Sequence, residues 1–356
     1  MSEDVWSAQD TDPDAIDAAL RELLRERHAA DRAVAPARVL NLIVVVDREW
    51  KDEISERLRN VGRYHASRTI LCTVEEGRTT LDAVATIEYE EGGGGGVHPV
   101  RERVVLDLGP SHLKQLGTIV DPILVGELPT MLWSPHGHDE AVVALLSMID
   151  VILLDSDDDE SSGGLPHAEE LRRAAYVVDL AWLRTTPWRE RLAATFDVPA
   201  RRAALSQLTD LRVRHQPSSR ASAALLAGWL ATRLDWEVGP LGRNGGEWRG
   251  SARAGDGDGD REIEITLAPQ DQEPPGLAGV TVGWDGGCSV ALDRGRGGLT
   301  AVQRDAQGEE RCWRELGASR GEGLILGEGV RQALLRDPTY GPALEAALEL
   351  SGARER

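Results

Sequence analysis

The sequence has almost no lysine and almost no phenylalanine. Lys51 and Lys114 are the only lysines among 40 basic residues, and Phe196 stands alone against ten Trp. Cysteine is scarce too. Cys72, Cys288 and Cys312 are odd in number, far apart and form no C-x-x-C. That argues against a disulfide framework and against a zinc site. No apolar run approaches the roughly 20 residues that span a bilayer. The first residues are acidic and polar, unlike a secretion signal. Positive charge is also short, with 40 Lys and Arg against 60 Asp and Glu and a net charge of -20. Nucleic acid and anionic membranes need a cationic face, so neither is expected as a partner. The expectation is a soluble cytoplasmic protein.

Recognisable chemistry is missing as well. GGGGGV at 92–97 lacks the Lys-Ser/Thr and the following helix of a phosphate loop, and reads as a hairpin loop. The first strand runs into VVVDREW, not into a G-x-G-x-x-G dinucleotide fingerprint. DGDGDR at 256–261 begins like a calcium loop, but Arg261 and Leu267 occupy the places that need Gly and Glu. HGHD at 136–139 offers two His without a third ligand. No Ser-His-Asp or Cys-His arrangement has supporting context. The sequence therefore assigns no catalytic residue, no metal and no cofactor.

What is present is a two-domain pattern in 356 residues. Residues 1–35 read as a polar extension followed by a helix from Pro13 to Ala30, capped by Asp12. Residues 36–156 read as an α/β domain with a mixed sheet. Its strands include the β-branched runs RVLNLIVVVD (38–47) and RTILCTV (68–74). LDAVATIEYE (81–90) and VRERVVLDL (100–108) alternate like an antiparallel pair. A helix is predicted over 111–126, stopping before Pro122. Residues 157–166 read as an acidic, glycine-containing linker. Residues 167–356 read as an α+β domain. It opens with a helix over LPHAEELRRAAYVV and continues with SSRASAALLAGWLATRLDW, capped by Ser218 or Ser219. An antiparallel meander of short strands and two closing helices follow.

Two stretches are candidate binding sites. In RYHASRTI (63–70), Arg63, Ser67 and Arg68 lead into a strand, where α/β domains present anion contacts; tying a turn is the alternative role. DLAWLRTTPWRERL (179–192) crowds two Trp and three Arg together. Pro187 is expected to break its helix near Thr185. Trp182 then belongs to the core, while Trp188, Arg189 and Arg184 form a partner-facing patch, since Trp and Arg dominate interface hot spots; the alternative, of equal weight, is that both Trp anchor helices onto the sheet.

The segments together resemble the glucose-6-phosphate dehydrogenase assembly protein family, OpcA, from about residue 36 to about 348. RVLNLIVVVD resembles its opening strand and RYHASRTIL its Arg-x-Pro-Ser-Arg-Thr-Ile block. VDPILVGELPTMLWSP, DVILLDS and DLAWLRTTPWRERL resemble three further blocks, and LLAGWLATRLDW and LLRDPTYGPAL its closing helices. Ala66, Ser134 and Val151 depart from the usual Pro, Trp and Arg. The resemblance implies a non-enzymatic factor. Its partner would be glucose-6-phosphate dehydrogenase, whose assembly or activity it promotes in the oxidative pentose phosphate pathway. The competing class is a sugar-phosphate-binding α/β protein or enzyme that uses Arg63, Ser67 and Arg68.

Overall fold

The computed structural model describes residues 2–31, 34–36, 38–62, 67–89, 98–158, 164–255, 260–295, 297–316, 322–332 and 335–353. They fall into two compact units. The first takes Met1–Leu154, Leu171–Val178 and Leu326–Leu335; the second takes Asp155–Glu170, Asp179–Ile325 and Arg336–Arg356.

The first unit is built on a nine-stranded sheet. Its strands are β1 (Ser2–Ala8), β2 (Val34–Pro36), β3 (Leu40–Asp47), β4 (Ser67–Val74), β5 (Asp82–Tyr89), β6 (His98–Leu108), β7 (Thr130–Trp133), β8 (Val151–Leu154) and β9 (Tyr176–Asp179). The order is β1-β5-β6-β4-β3-β7-β8-β9, with β2 beside β6. The centre is parallel: β6, β4, β3, β7 and β8 run one way. β5 and β1 close one side antiparallel. Every residue of β3 but Asp47 is buried, as a run covered on both faces requires. Helix α1 (Pro13–Ala30) starts where expected: the Asp12 carboxylate accepts from Ala15 N at 2.9 Å. Its Ile16 and Leu20 are fully buried. Helix α2 (Lys51–Gly62), α3 (Leu116–Val120) and α4 (Asp139–Leu145) also belong to this unit.

Three local expectations need correction here. Residues 2–8, read from the sequence as part of a polar extension, form edge strand β1, whose ladder to β5 uses backbone groups that polar side chains do not advertise. The helix expected over 111–126 is divided into a 3-10 turn (Pro110–Gln115), α3 and a second 3-10 turn (Asp121–Ile123). Pro122 cannot donate a backbone hydrogen bond, which ends regular helix there. The helix expected through Val178 stops at Arg172, and Tyr176–Asp179 becomes β9.

The second unit carries helix α5 (Gly164–Arg172), α6 (Leu180–Phe196), the single turn α7 (Pro199–Arg202), α8 (Arg220–Arg233), α9 (Glu322–Gln332, which counts with the first unit from Leu326 on) and α10 (Tyr340–Leu350). Its nine-stranded sheet is formed by β10 (Leu208–His215), β11 (Trp236–Val238), β12 (Gly242–Asn244), β13 (Glu247–Gly255), β14 (Asp260–Pro269), β15 (Leu277–Trp284), β16 (Cys288–Gly295), β17 (Gly298–Arg304) and β18 (Glu310–Leu316). Each segment expected as a strand forms one. The topology is nevertheless mixed, because β10 inserts between β14 and β15 and runs parallel to β14. The broad two-region α/β picture holds; β10 hides in the sequence behind charged LTDLRVRH. Ser219 takes the expected cap position of α8 but makes no capping bond.

Helix α6 also corrects the sequence reading. It runs unbroken through Pro187. A proline inside a helix costs about 3 kcal/mol or more. Leu180, Trp182, Leu183, Trp188, Leu192 and Phe196 are all buried along this helix, and burial at about 1.5–3 kcal/mol per large side chain outweighs that cost.

Candidate functional site

The cavity that stands out lies within the second unit, at about 820 Å³. Its position follows from the β10–α8 connection. β10 ends at His215, the chain turns through Gln216–Ser219, and α8 begins at Arg220. His215 accepts a backbone hydrogen bond from Gln270 just past the end of parallel strand β14. The cavity thus opens beyond the carboxyl ends of two parallel strands, the usual place for a ligand in a mixed sheet.

A buried polar network forms one wall. Arg184 of α6 is nearly shut off from solvent and holds Asp155 with two bonds of 2.7 Å. Asp157 lies 3.5 Å from the same guanidinium. Asp157 also accepts from Ser222 N at 2.9 Å and Ser222 Oγ at 2.5 Å. It therefore caps α8 from a distance and satisfies a first-turn N–H that the helix cannot pair itself. Ser219 is occupied elsewhere: its Oγ accepts from Gly276 N at 2.8 Å. Gly276 has φ +91, and a Cβ there would sit 3.3 Å from Arg184 Cδ. Glycine is needed both for that backbone conformation and to let the turn lie against the arginine.

Asp179 carries the network into the interior. Its carboxylate accepts from Ser156 N (3.0 Å), Ser156 Oγ (2.7 Å), Ala181 N (2.9 Å) and Tyr340 Oη (3.0 Å). Burial, together with the charge of Asp155, still pushes its carboxyl up to about 6. Asp157 is pushed up to about 7 by the same two causes, against the pull of Arg184 and Ser222.

The opposite wall is cationic and aromatic. The Arg220 guanidinium lies 4.8 Å from the centre of the Trp248 ring. Arg243 stands opposite Trp248 on the neighbouring strand and also lines the cavity. His215 is 2 % exposed. Its Nδ1 lies 2.8 Å from Gln216 O, so that nitrogen donates and Nε2 is a bare acceptor. No hydrogen-bond partner among the described residues meets Nε2. Burial and the neighbouring Arg220 lower its affinity for a proton, which keeps the ring neutral.

Of the two roles weighed for α6, packing and a partner-facing patch, this geometry displays the packing. Trp188 is 1 % exposed, and Arg184 is committed to Asp155. Arg189 lies flat on Trp182, with its Cζ 3.5 Å from the ring centre. It donates to Thr185 and Thr186 at 2.9 and 3.0 Å. Burial pulls its guanidinium down to about 10, still charged at neutral pH. With Pro187 failing to break the helix, all three side chains stay inside the fold. Trp182 is buried as expected.

Of the anion contacts expected at 63–70, the described residues Ser67 and Arg68 make internal contacts. Arg63 lies outside the described residues. Arg68 is buried, donating to Glu102 Oε2 at 2.7 Å and to Ile123 O at 2.6 Å. Ser67 faces Thr69, with 3.2 Å between the hydroxyl oxygens. GGGGGV and most of DGDGDR lie outside the described residues. In HGHD, His138 Nε2 sits 3.3 Å from Asp47 and His136 stacks on Trp50. Among the described residues no group of three His, Cys, Asp or Glu is placed to hold a metal.

Sequence reasoning missed Asp157, Asp179, His215, Arg220 and Trp248. DSDDD reads as a solvated linker, and only the fold shows that two of its carboxylates meet an arginine. The one usable signal was Ser218-Ser219-Arg220 just ahead of an apolar helix.

Residues 59–172 match the family model for the N-terminal domain of a glucose-6-phosphate dehydrogenase subunit. Residues 175–344 match the model for the C-terminal domain of the same kind of chain. A "Putative OxPP cycle protein OpcA" from Nostoc punctiforme is 30% identical over 152 residues, 41% of this chain and 33% of the relative. One of the same name from Synechocystis is 30% identical over 129 residues, 35% and 27% of the two chains. The chain thus spans about a third of the length of the curated relatives it matches. Among solved structures, an oxidoreductase from Sinorhizobium meliloti aligns with a TM-score of 0.46 at 12% identity, over 90% of this chain and 98% of the other. The transcriptional regulator Gal80p from Kluyveromyces lactis gives 0.46 at 7% identity, over 90% and 89%.

Proposed function

The chain belongs to the OpcA family of glucose-6-phosphate dehydrogenase subunits, and from that membership we propose that it is a non-catalytic factor that binds this dehydrogenase and promotes its assembly or activity. The observation that carries the reading is the pair of family models. They follow one another along the chain, and both describe a subunit of that enzyme. The role is cytoplasmic, within the oxidative pentose phosphate pathway. No described helix is long and apolar enough to cross a membrane.

Trp50 is the anchor we propose on the first unit. It remains 37 % exposed, and its ring is stacked on His136 with centroids 4.6 Å apart. A large aromatic already held in place loses little freedom on binding, and Trp is the residue type most enriched at hot spots. Trp188 and Arg189 are unsuited to this role because they are spent on internal packing. The test is co-elution of the purified chain with the matching dehydrogenase in size-exclusion chromatography. The expected result is a complex that Trp50→Ala weakens roughly 30-fold, as loss of a contact of about 2 kcal/mol would. Failure of the unaltered chain to form any complex would refute the reading; normal binding by the variant would move the interface away from Trp50.

A further inference from the structure

We propose that the cavity of the second unit binds a small phosphorylated polyol. Arg220, Arg243 and the first turn of α8 would hold the phosphate. His215 and Asp155 would face the hydroxyls. The inference goes beyond the dehydrogenase reading and does not depend on it.

Four observations converge. The first is size: about 820 Å³ lies in the range of metabolite sites. The second is charge. Arg184 is neutralised by Asp155 and Asp157, whereas neither Arg220 nor Arg243 forms an ion pair among the described residues. Two such cations beside the positive end of a 14-residue helix favour an anion. The third is His215. A buried, neutral ring with a bare, unmet acceptor stands in the cavity wall. A buried acceptor of this kind is costly to leave unmade; Nε2 is itself closed to solvent, so a ligand hydroxyl meets it when the ring turns toward the cavity. The fourth is wall composition. Trp248, Pro269 and Pro275 offer apolar surface for the C–H face of a polyol, while Asp155 offers a carboxylate fixed by two bonds to Arg184.

Phosphate and Asp157 would repel each other if both were fully charged. Burial beside Asp155 raises the Asp157 carboxyl to about 7, so it carries only part of its charge at neutral pH, which lessens that repulsion. A bare anion would use only the arginine wall and leave His215 unsatisfied. A ligand carrying both a phosphate and hydroxyls uses both walls.

The test is titration calorimetry of the full chain, without any dehydrogenase, with thermal melting in parallel. The probes are glucose 6-phosphate, glucose, inorganic phosphate and NADP. Glucose 6-phosphate is expected to bind and to raise Tm, with glucose and phosphate each at least about tenfold weaker, or about 1.4 kcal/mol. Arg220→Ala with Arg243→Ala is expected to abolish the heat. The exposed Arg243→Gln, which cannot disturb the core, is expected to weaken binding about tenfold, as is His215→Gln. Four results would overturn the proposal. They are no heat with any probe, equal binding of phosphate alone (an adventitious ion only), tighter binding of NADP, or undiminished binding by Arg243→Gln. Because no dehydrogenase is present, each of these leaves the partner reading standing.

Discussion

Trp182 and Arg189 lie two turns apart on one helix and meet the same carboxylate. The indole Nε1 donates to Asp337 Oδ2 at 2.9 Å, and Arg189 Nη1 lies 3.7 Å from the same oxygen. Asp337 in turn accepts from Thr339 N at 2.9 Å and Thr339 Oγ1 at 2.6 Å, just ahead of α10. Tyr340, the first residue of α10, packs against the Trp182 ring at 5.7 Å and bonds to Asp179. Trp182 and Arg189 are thus the clamp that joins α6 to the start of α10.

Stability should respond accordingly. Trp188→Ala is expected to cost about 3–5 kcal/mol, as for other fully buried large aromatics, read from urea denaturation. Arg189→Lys should recover little of the loss caused by Arg189→Ala, because lysine lacks the planar fork that stacks and bonds to two threonines together. A Trp188→Ala chain with unaltered stability but lost partner binding would show that the helix is an interface after all.

The buried carboxylates give a pH dependence with a definite sign. Folding raises Asp157 to about 7 and Asp179 to about 6. The folded chain therefore binds protons more tightly than the unfolded chain between an ordinary carboxylate value near ~4 and those values. These two groups favour folding most at the acid end of that window, and their contribution is lost as pH rises to about 7. Asp337, held low by Thr339, Trp182 and Arg189, acts in the opposite sense and loses its contribution only below the usual carboxylate range. Tm should fall from pH 5 to pH 8, and Asp157→Asn should flatten that slope. A Tm that rises over this interval, or a variant with an unchanged slope, would contradict the assignment.

The cysteines should behave separately. Cys72 is fully buried in β4 and its thiol is pushed up to about 12 by burial. Cys312 is exposed and Cys288 half-buried. Cys312 lies opposite Val302, and Val302 opposite Ala291. Two strand spacings and three residues along the strand put Cys288 and Cys312 roughly 14 Å apart, beyond the reach of a disulfide. Native labelling should modify Cys312 first and Cys72 last. Thiol counting in denaturant without reductant should give three; a count of one would refute this.

The legible parts of the fold were those written in periodicity. β3 and β4 announce themselves by β-branched runs, α1 by Asp12 and Pro13, and β14–β18 by short apolar segments between turns. β1 and β10 were opaque because their ladders use backbone groups and their side chains are polar or charged. Pro187 misled because a local rule, that proline breaks helices, is overridden by the burial of Leu183 and Trp188 on either side of it. The cavity was the least legible feature. Asp155, Arg184, His215 and Trp248 come from four separate segments, and no spacing rule connects them. Family resemblance was visible in ordered blocks, yet those blocks mark the packing of α6 and the Asn41 clamp, in which Asn41 exchanges hydrogen bonds with Val125 at 3.0 and 3.1 Å.

The central claim is that this chain acts on glucose-6-phosphate dehydrogenase without catalysing its reaction. The most direct measurement is the rate of NADP reduction with glucose 6-phosphate. It should be followed for the purified chain alone, for the matching dehydrogenase alone and for the two mixed at increasing ratios. The account predicts no turnover by the chain alone and a rate for the dehydrogenase that rises and then saturates as the chain is added. Turnover by the chain alone beyond what its purity explains, or a dehydrogenase rate that stays flat across the titration, would contradict it.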